Sequence, residues 1–486
     1  MITNANDLHL VYFVDILQSL KFVGIKRMQF AKKSLGVGAA LILLSQGVGA
    51  AERPKTMDEM WKIIEAQQVQ LEAMKKTLEA VKPETHKTAP DETQAEVKEL
   101  KHKTNVLTEV VETLRTALVI PEAKEYKSSY GLGPAASKVY QVDQGLSIGG
   151  YGEVNFQSFV ADKGDSKNNA DFERLVLYVG YKFNDWLVFN SETEFEHAST
   201  GQEGSVGVEL ATLDFLLDPM FNIRAGMVLM PMGFVNQIHE PPFFFGNNRP
   251  EVERAIIPST WREVGAGVFG EVVPDLSYTM YAVTGLKASE FSSSGIRSGR
   301  QKGSKAINED MAFVGRIDYA PSSMPGLTIG ASTYLGNSGQ GEIAGTDVFT
   351  QLYEAHIEWK YRGLEFRTLG SWGFIEDADL VSAANGSTVG SANYGVYTEI
   401  GYDVLPLILP NTTQYFAPFF RYEKIDTLAS VANGYQDDLS KEQDIYQVGF
   451  NYKPIPQVVI KADYRNRNTK AGTKPDEFNI GFGFIF

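Results

Sequence analysis

The sequence predicts an all-β transmembrane barrel of about 16 antiparallel strands, preceded by a periplasmic α-helical coiled coil. Apolar residues recur at heptad spacing before residue 120 and at every second position from about residue 145 onward. Phe (29 residues) and Tyr (22) are abundant, as in the aromatic girdles of outer-membrane barrels. Beyond the N-terminal region no run of about 18 apolar residues occurs, so only strands could carry the chain across a membrane.

Residues 1–50 are interpreted as an upstream extension and a signal peptide, with the true start at Met28. Two lysines follow that methionine, an apolar run covers 35–44, and small residues precede a cleavage point after Ala50. Export is therefore expected, and an exported barrel is expected in the outer membrane of a Gram-negative bacterium. A short apolar anchor at 8–25 is the competing interpretation, but charged residues interrupt it.

Residues 51–125 are predicted to form a coiled-coil stalk in the periplasm, interrupted at Pro83 and Pro90 and stopped by Pro121. A narrow apolar seam with charged flanks is buried most simply by copies of itself, so an oligomer is expected. Two amphipathic helices packed on a globular core are the alternative. The seam consists of Met57, Met60, Ile64, Leu71, Met74, Leu78 and Val81, then Val97, Leu100, Leu107, Val111, Leu114 and Leu118.

Residues 126–144 are expected to be a linker, and residues 145–486 the barrel. Short connections such as 184–185 alternate with long polar ones such as 286–310. This regular alternation is typical of outer-membrane barrels and is not required in soluble sandwiches. Predicted strands cover 146–160, 171–183, 186–198, 206–217, 220–230, 262–271, 275–285, 311–319, 326–336, 350–361, 364–376, 392–404, 414–423, 443–453, 456–466 and 477–486.

The strands show apolar residues on one face and charged residues on the other. In "RLVLYVGYKF" one face carries Leu, Val, Tyr and Phe, whereas the other carries Arg174 and Lys182. Burying unpaired charges away from water costs several kcal/mol each, so the inner face must be wet. In the last strand, "EFNIGFGFIF", the apolar face points to lipid, and Phe486 resembles the C-terminal aromatic signal read by the barrel assembly machinery.

Three stretches resemble bacterial trimeric porins, most nearly the phosphate-selective porin O and P family. They are "DFERLVLYVGYKFNDWLVFNSETEFE", "IRAGMVLMPMGF" before the third long loop, and "STWREVGAGVFGE" after it. The resemblance covers about a third of the barrel and implies a homotrimer with arginines and lysines lining an anion-preferring channel. Candidate pore-lining or selectivity residues are Arg174, Lys182, Glu192, Glu194, Arg224, Arg249, Glu251, Arg254, Arg316, Arg367, Arg421 and Lys461.

The charge pattern leaves the ion selectivity open. Carboxylates outnumber basic groups on the predicted inner faces, and rings of carboxylates favour cations whereas rings of arginine or lysine favour anions. The formal net charge of −15 argues against nucleic acid as a partner. The expected partners are outer-membrane lipid, further copies of the chain, and small ions or solutes.

The loop at 231–261 is unusually apolar for a surface segment, because it contains three consecutive phenylalanines, Phe243 to Phe245. It is expected to fold into the lumen and narrow the pore, with its apolar residues against the wall. Arg249, Glu251, Glu253 and Arg254 are expected to face the passage. The alternative is that the loop latches onto a neighbouring protomer.

An enzyme is not expected. The histidines of the barrel, His197, His239 and His356, lie in no recognisable catalytic or metal-ligand spacing, so no catalytic residue, metal or cofactor is predicted. The row Glu192, Glu194 and Glu196 could hold a hard cation, but an ion-pair lattice across the hairpin explains it more simply.

These observations predict a porin, a water-filled channel for passive diffusion of small hydrophilic solutes or ions, with anions such as phosphate implied by the family resemblance. The alternative is a structural tether that links the outer membrane to the cell wall through the coiled coil. Peptidoglycan or a periplasmic protein would then be the partner of the stalk, and the pore would be general or cation-preferring.

Overall fold

The computed structural model describes Lys101 and residues 127–486. The predicted signal peptide, the start at Met28 and the coiled coil at 51–125, Lys101 apart, lie outside the described residues. Within the described part, no helix is long and apolar enough to cross a membrane.

The described residues form a closed antiparallel barrel of sixteen strands in which each strand pairs with its sequence neighbours and β1 pairs with β16. All sixteen predicted strands are confirmed. They are β1 Gly145–Ala161, β2 Asn169–Asn184, β3 Leu187–Glu196, β4 Val206–Asp218, β5 Phe221–Leu229, β6 Arg262–Val273, β7 Leu276–Thr284, β8 Met311–Tyr319, β9 Leu327–Asn337, β10 Phe349–Tyr361, β11 Leu364–Ile375, β12 Gly390–Tyr402, β13 Tyr415–Val431, β14 Glu442–Ile455, β15 Val458–Thr469 and β16 Asp476–Ile485.

The largest boundary difference is in β13, which was expected to end at residue 423 and ends at Val431. Its extension pairs with β12 through Asp426 opposite Tyr394, and with β14 through Asp426 opposite Glu442. Aspartate is rare in strands and suggests a turn. In this structure, β12 and β14 supply backbone hydrogen-bond partners around Asp426, and these keep the end of β13 extended.

The outer surface of the barrel is apolar, and aromatic side chains mark its short-turn end, where the connections between strands are short. Exposed and buried side chains alternate along β2, β10 and β16, so the alternation predicted for these strands is confirmed. An apolar band edged by aromatic rings is the surface that a bilayer requires. The exposed aromatic residues next to the short turns include Phe183, Trp186, Phe221, Tyr319, Tyr361 and Tyr402.

The helices are short and lie in connections. Helix α1 (Lys138–Gln141) precedes the barrel, α2 (Ala378–Asn385) lies between β11 and β12, and α3 (Leu405–Ile408) lies between β12 and β13. The long connection between β5 and β6 contains a 3₁₀ turn, Pro241–Phe243, and a π-helical turn, Val252–Ile256.

Candidate pore and its constriction

The charged side chains of the inner wall form ion pairs both within strands and between neighbouring strands. Arg224 Nη2 lies 2.7 Å from Asp214, Arg316 Nε lies 2.7 Å from Asp318, and Arg367 Nε lies 2.5 Å from Glu358. Buried charges are tolerated when they are paired in this way. Several wall carboxylates therefore have a close arginine partner, a feature that residue counts alone did not reveal.

The connection between β5 and β6, residues 230–261, is termed the constriction loop because it lies inside the barrel. Arg421 Nη2 donates to the carbonyl oxygen of Phe245 at 2.8 Å, and Lys461 Nζ donates to that of Gly246 at 2.8 Å. On the same side, the Asn247 amide donates to Asp463. These contacts with β13 and β15 confirm the expected inward fold. Arg421 and Lys461, which were predicted as pore-lining or selectivity candidates, both bind the loop backbone.

The second half of the constriction loop is bound to β12 and β13. Glu253 accepts hydrogen bonds from the Val235 amide at 2.7 Å and from the Tyr397 hydroxyl at 2.6 Å. The Val252 amide donates to Glu423 on β13 at 3.1 Å. Glu253 is 1% exposed and so does not face the passage as expected. Its carboxylate instead satisfies a backbone amide where the loop crosses the lumen.

The apolar residues of the constriction loop pack against the wall, as expected from their sequence. Phe245 stacks on Phe419 with ring centroids 5.0 Å apart, and the Lys461 ammonium lies 3.5 Å from the ring centroid of Phe244. Burial of such a side chain contributes about 1.5–3 kcal/mol. Gly395 leaves room for the loop, since a Cβ there would lie 2.9 Å from Val252.

Arg249, Glu251 and Arg254 border a cavity of about 360 Å³ at the long-loop end of the barrel, termed the long-loop cavity. The Arg254 side chain is 51% exposed and is ion-paired with Glu251. Glu251 also lies 3.2 Å from Arg465. Among the described residues, Nη2 of Arg249 is buried without a hydrogen-bond partner.

Two arginines of this cavity, Arg249 and Arg297, have no carboxylate partner among the described residues, although its lining contains as many carboxylates as arginines. Glu153, Glu251 and Glu477 are each ion-paired with arginine. Arg297, by contrast, donates to the carbonyl and hydroxyl oxygens of Ser259 at 3.0 and 3.1 Å, and within the described residues it has no carboxylate partner. Burial and the positive charge of nearby arginines lower the pKa of Arg297. Sequence reasoning missed this residue because it lies in a long loop with no strand periodicity.

Residues 127–144, termed the N-terminal segment, also lie inside the barrel and are not an extended linker. Ala135 and Ala136 donate their amides to the Glu240 carboxylate at 2.9 and 3.3 Å, and the Tyr140 hydroxyl donates to Asp214 at 2.7 Å. Lys182, predicted to line the pore, donates to the carbonyl oxygen of Val142 at 3.0 Å. The buried side chains of the segment include Leu132, Ala135, Ala136, Ser137, Val139 and Val142.

A second cavity, of about 560 Å³, lies at the short-turn end and is termed the short-turn cavity. Tyr130 of the N-terminal segment, Gln237 of the constriction loop, and Arg316 with Asp318 of β8 contribute to its lining. The constriction loop therefore borders both cavities, since its residues 247–254 line the long-loop cavity.

The remaining predicted site residues lie on the first hairpin and at the last residue. Arg174 is buried and ion-paired with Glu153 and Glu194, whereas Glu192 is buried against the constriction loop. Phe486 exchanges backbone hydrogen bonds with Gly150, and its side chain is exposed on the barrel surface. Its role as an assembly signal stays a prediction.

A closed sixteen-strand barrel with an apolar exterior, a charged interior and an inward third long loop defines the porin type of fold. The fold is similar to that of OmpF of Salmonella typhi in complex with daunomycin, at 14% identity over 71% of this chain and 98% of that chain, with a TM-score of 0.50. The outer membrane channel DcaP of Acinetobacter baumannii aligns at 14% identity over 70% of this chain and 97% of that chain, with a TM-score of 0.46.

The chain belongs to the same family as an uncharacterized protein of Aquifex aeolicus (strain VF5), with which it is 39% identical over 391 residues, or 77% of this chain and 87% of that protein. No family model matches the chain. The more specific resemblance to the phosphate-selective porin O and P family therefore stays a prediction.

Proposed function

We propose that this protein is an outer-membrane porin, a channel for passive diffusion of small hydrophilic solutes or ions. The main support is a charged interior with two cavities, bordered by one inward loop, inside a barrel whose exterior is apolar. Such an interior costs too much free energy to be kept dry, whereas water in a channel solvates it. The fold similarity to OmpF is consistent with this proposal.

The preferred solutes are small anions, including phosphate. Wall carboxylates are largely ion-paired, whereas Arg249 and Arg297 at the long-loop cavity have no carboxylate partner among the described residues. Guanidinium groups held near neutral oxygens attract anions and bind phosphate well.

The test is the reversal potential of the purified full-length protein in a planar bilayer under a potassium chloride gradient, repeated with phosphate. Anion selectivity with a reduced chloride current in phosphate is the expected result. Cation selectivity would contradict the anion preference but not the channel. The absence of conductance from folded protein would contradict the channel itself.

A tethering role is the second candidate, and the heptad seam at 51–125 favours it. In this proposal the stalk lies in the periplasm and binds peptidoglycan or a periplasmic protein, and the chain forms a homotrimer. Deleting 57–120 should leave single-channel conductance unchanged and weaken the cell envelope. The native mass of the purified protein before and after the deletion tests whether the stalk maintains the trimer.

A further inference from the structure

A buried group of three side chains joins the constriction loop to the barrel wall. Glu192 lies on β3, Glu209 on β4 and His239 on the loop, and each is at most 1% exposed. His239 Nε2 is 3.0 Å from Glu192 Oε1 and 3.9 Å from Glu209 Oε2. One donor atom from each residue lies within 4.8 Å of the others, so all three could contact one ion.

In this group, one imidazole nitrogen and two carboxylate oxygens remain available to bind a ligand. His239 Nδ1 lies 3.1 Å from the carbonyl oxygen of Asn236, so this nitrogen carries the proton and Nε2 presents a lone pair to the two carboxylates. Among the described residues, Glu192 Oε2 and Glu209 Oε2 are buried without any hydrogen-bond partner. Buried oxygens of this kind are costly unless a donor or a cation satisfies them.

Neighbouring charges do not satisfy the group. Arg262 Nη1 lies 2.6 Å from Glu209 Oε1, and the Tyr178 hydroxyl lies 3.3 Å from Glu192 Oε1, so both contacts use the other oxygen of each carboxylate. Arg174 is shared among Glu153, Glu173 and Glu194. Among the described residues, one oxygen of each carboxylate and the Nε2 lone pair of His239 therefore remain available to an ion.

We propose that Glu192, Glu209 and His239 bind one divalent transition-metal ion, of which zinc is the representative, and that the ion fastens the constriction loop to β3 and β4. One imidazole nitrogen and two carboxylate oxygens are ordinary ligands of zinc, with bonds of about 2.0–2.2 Å. Ligands at that distance in a tetrahedron lie roughly 3.4 Å apart. The observed separations of 3.0 and 3.9 Å lie on either side of this value. The Nδ1 contact with Asn236 is the outer hydrogen bond that orients a metal-binding histidine.

A second buried histidine provides the matched control. His356 Nδ1 lies 2.6 Å from Glu354, its Nε2 lies 2.9 Å from Asp318, and Arg316 Nη2 lies 2.9 Å from the same nitrogen. Within the described residues, no side-chain oxygen of Glu354 or Asp318 is buried without a partner. This group is satisfied internally by the guanidinium, so it offers a metal no free ligand.

The experiment uses untagged full-length protein, stripped with a chelator in detergent and then titrated with zinc chloride. Metal content is read by mass spectrometry of the dialysed protein, and the loop attachment by the thermal unfolding midpoint. Wild type and His356→Gln should bind one zinc per chain and unfold at a higher temperature with zinc. His239→Gln should weaken zinc binding by more than the roughly 10–100-fold that a change of an outer hydrogen bond costs.

Folding of each variant is checked by its circular dichroism and its heat-dependent gel mobility. Glu209→Gln keeps the side-chain shape and should lose zinc in the same way. It therefore tests the proposal independently if His239→Gln does not fold. Zinc binding at one ion per chain in both His239→Gln and Glu209→Gln would overturn it. So would a folded wild type that binds no zinc, because the free oxygens would then be satisfied by protons.

Discussion

The two segments inside the barrel are attached in different ways. The constriction loop is bound by wall side chains from several strands, including Arg316, Tyr397 and Arg421. The N-terminal segment is small and apolar, and two of its amides depend on Glu240, which belongs to the loop. The segment also contacts the wall, since the Tyr140 hydroxyl donates to Asp214 and Lys182 donates to the carbonyl oxygen of Val142, so it depends only partly on the loop. We expect the loop to limit the pore size and the N-terminal segment to be the more easily displaced of the two.

Deleting residues 240–256 should have the largest effect, because it removes the middle of the loop and the Glu240 contact together. We expect the highest single-channel conductance of any variant in a planar bilayer. Deleting residues 436–439, which lie in an exposed loop, is the matched control and should change nothing. Equal conductance of the two deletions would contradict the constriction.

Arg421→Met should test the attachment of the loop to β13. It leaves the Glu399 carboxylate buried without this partner, and breaking a buried pair in this way costs about 3–5 kcal/mol. The free energy of unfolding, measured by urea titration in lipid vesicles, should fall by this order. Removing both charges in Arg421→Met with Glu399→Leu should recover most of the loss. Failure to recover would show that the hydrogen bonds to the loop backbone, rather than the ion pair, dominate.

Glu240→Ala should free the N-terminal segment while leaving the loop in place. It removes the acceptor of two amide hydrogen bonds, and bonds to a charged group contribute about 1.5–3 kcal/mol each. We expect faster trypsin cleavage at Lys138 and a rise in conductance smaller than that of the loop deletion. Glu290→Ala, at an exposed position, is the control. A cleavage rate equal to that of the control would contradict the dependence of the segment on the loop.

Arg297→Gln should give the smallest effect, because it changes the charge of the long-loop cavity without moving either segment. The guanidinium contacts only neutral oxygens, so its loss leaves no carboxylate unpaired. The reversal potential should shift toward lower anion preference, with conductance nearly unchanged. Lys163→Gln, in the exposed loop after β1, should cause no shift.

The sequence could predict the barrel because each strand carries its own signal. Alternation within β2 or β16 is a local property, and so is the parity of short and long connections. The inward loop was predictable for the same reason, since three adjacent phenylalanines cannot remain in water. The contacts of the candidate site were harder to predict from the sequence, because they join residues that are far apart in the chain.

Three cases show what local reasoning misses. The N-terminal segment resembles a linker, because its apolar side chains are small and their partners, such as Tyr178 and Leu210, belong to distant strands. Glu253 was expected to face water as an acidic loop residue, but the backbone amide of Val235 and the hydroxyl of Tyr397 keep it against the wall. His239 was set aside for lack of a helical partner, whereas its neighbours lie on two strands.

The pairing of β1 with β16 has a kinetic consequence. Tyr151 lies opposite Ile485, so the last seam of the barrel joins residues from the two ends of the described strands. Contacts between such distant residues form slowly, and until they form both edge strands expose unpaired backbone groups that invite aggregation. The aggregation risk of this chain during folding is therefore expected to be concentrated at β1 and β16.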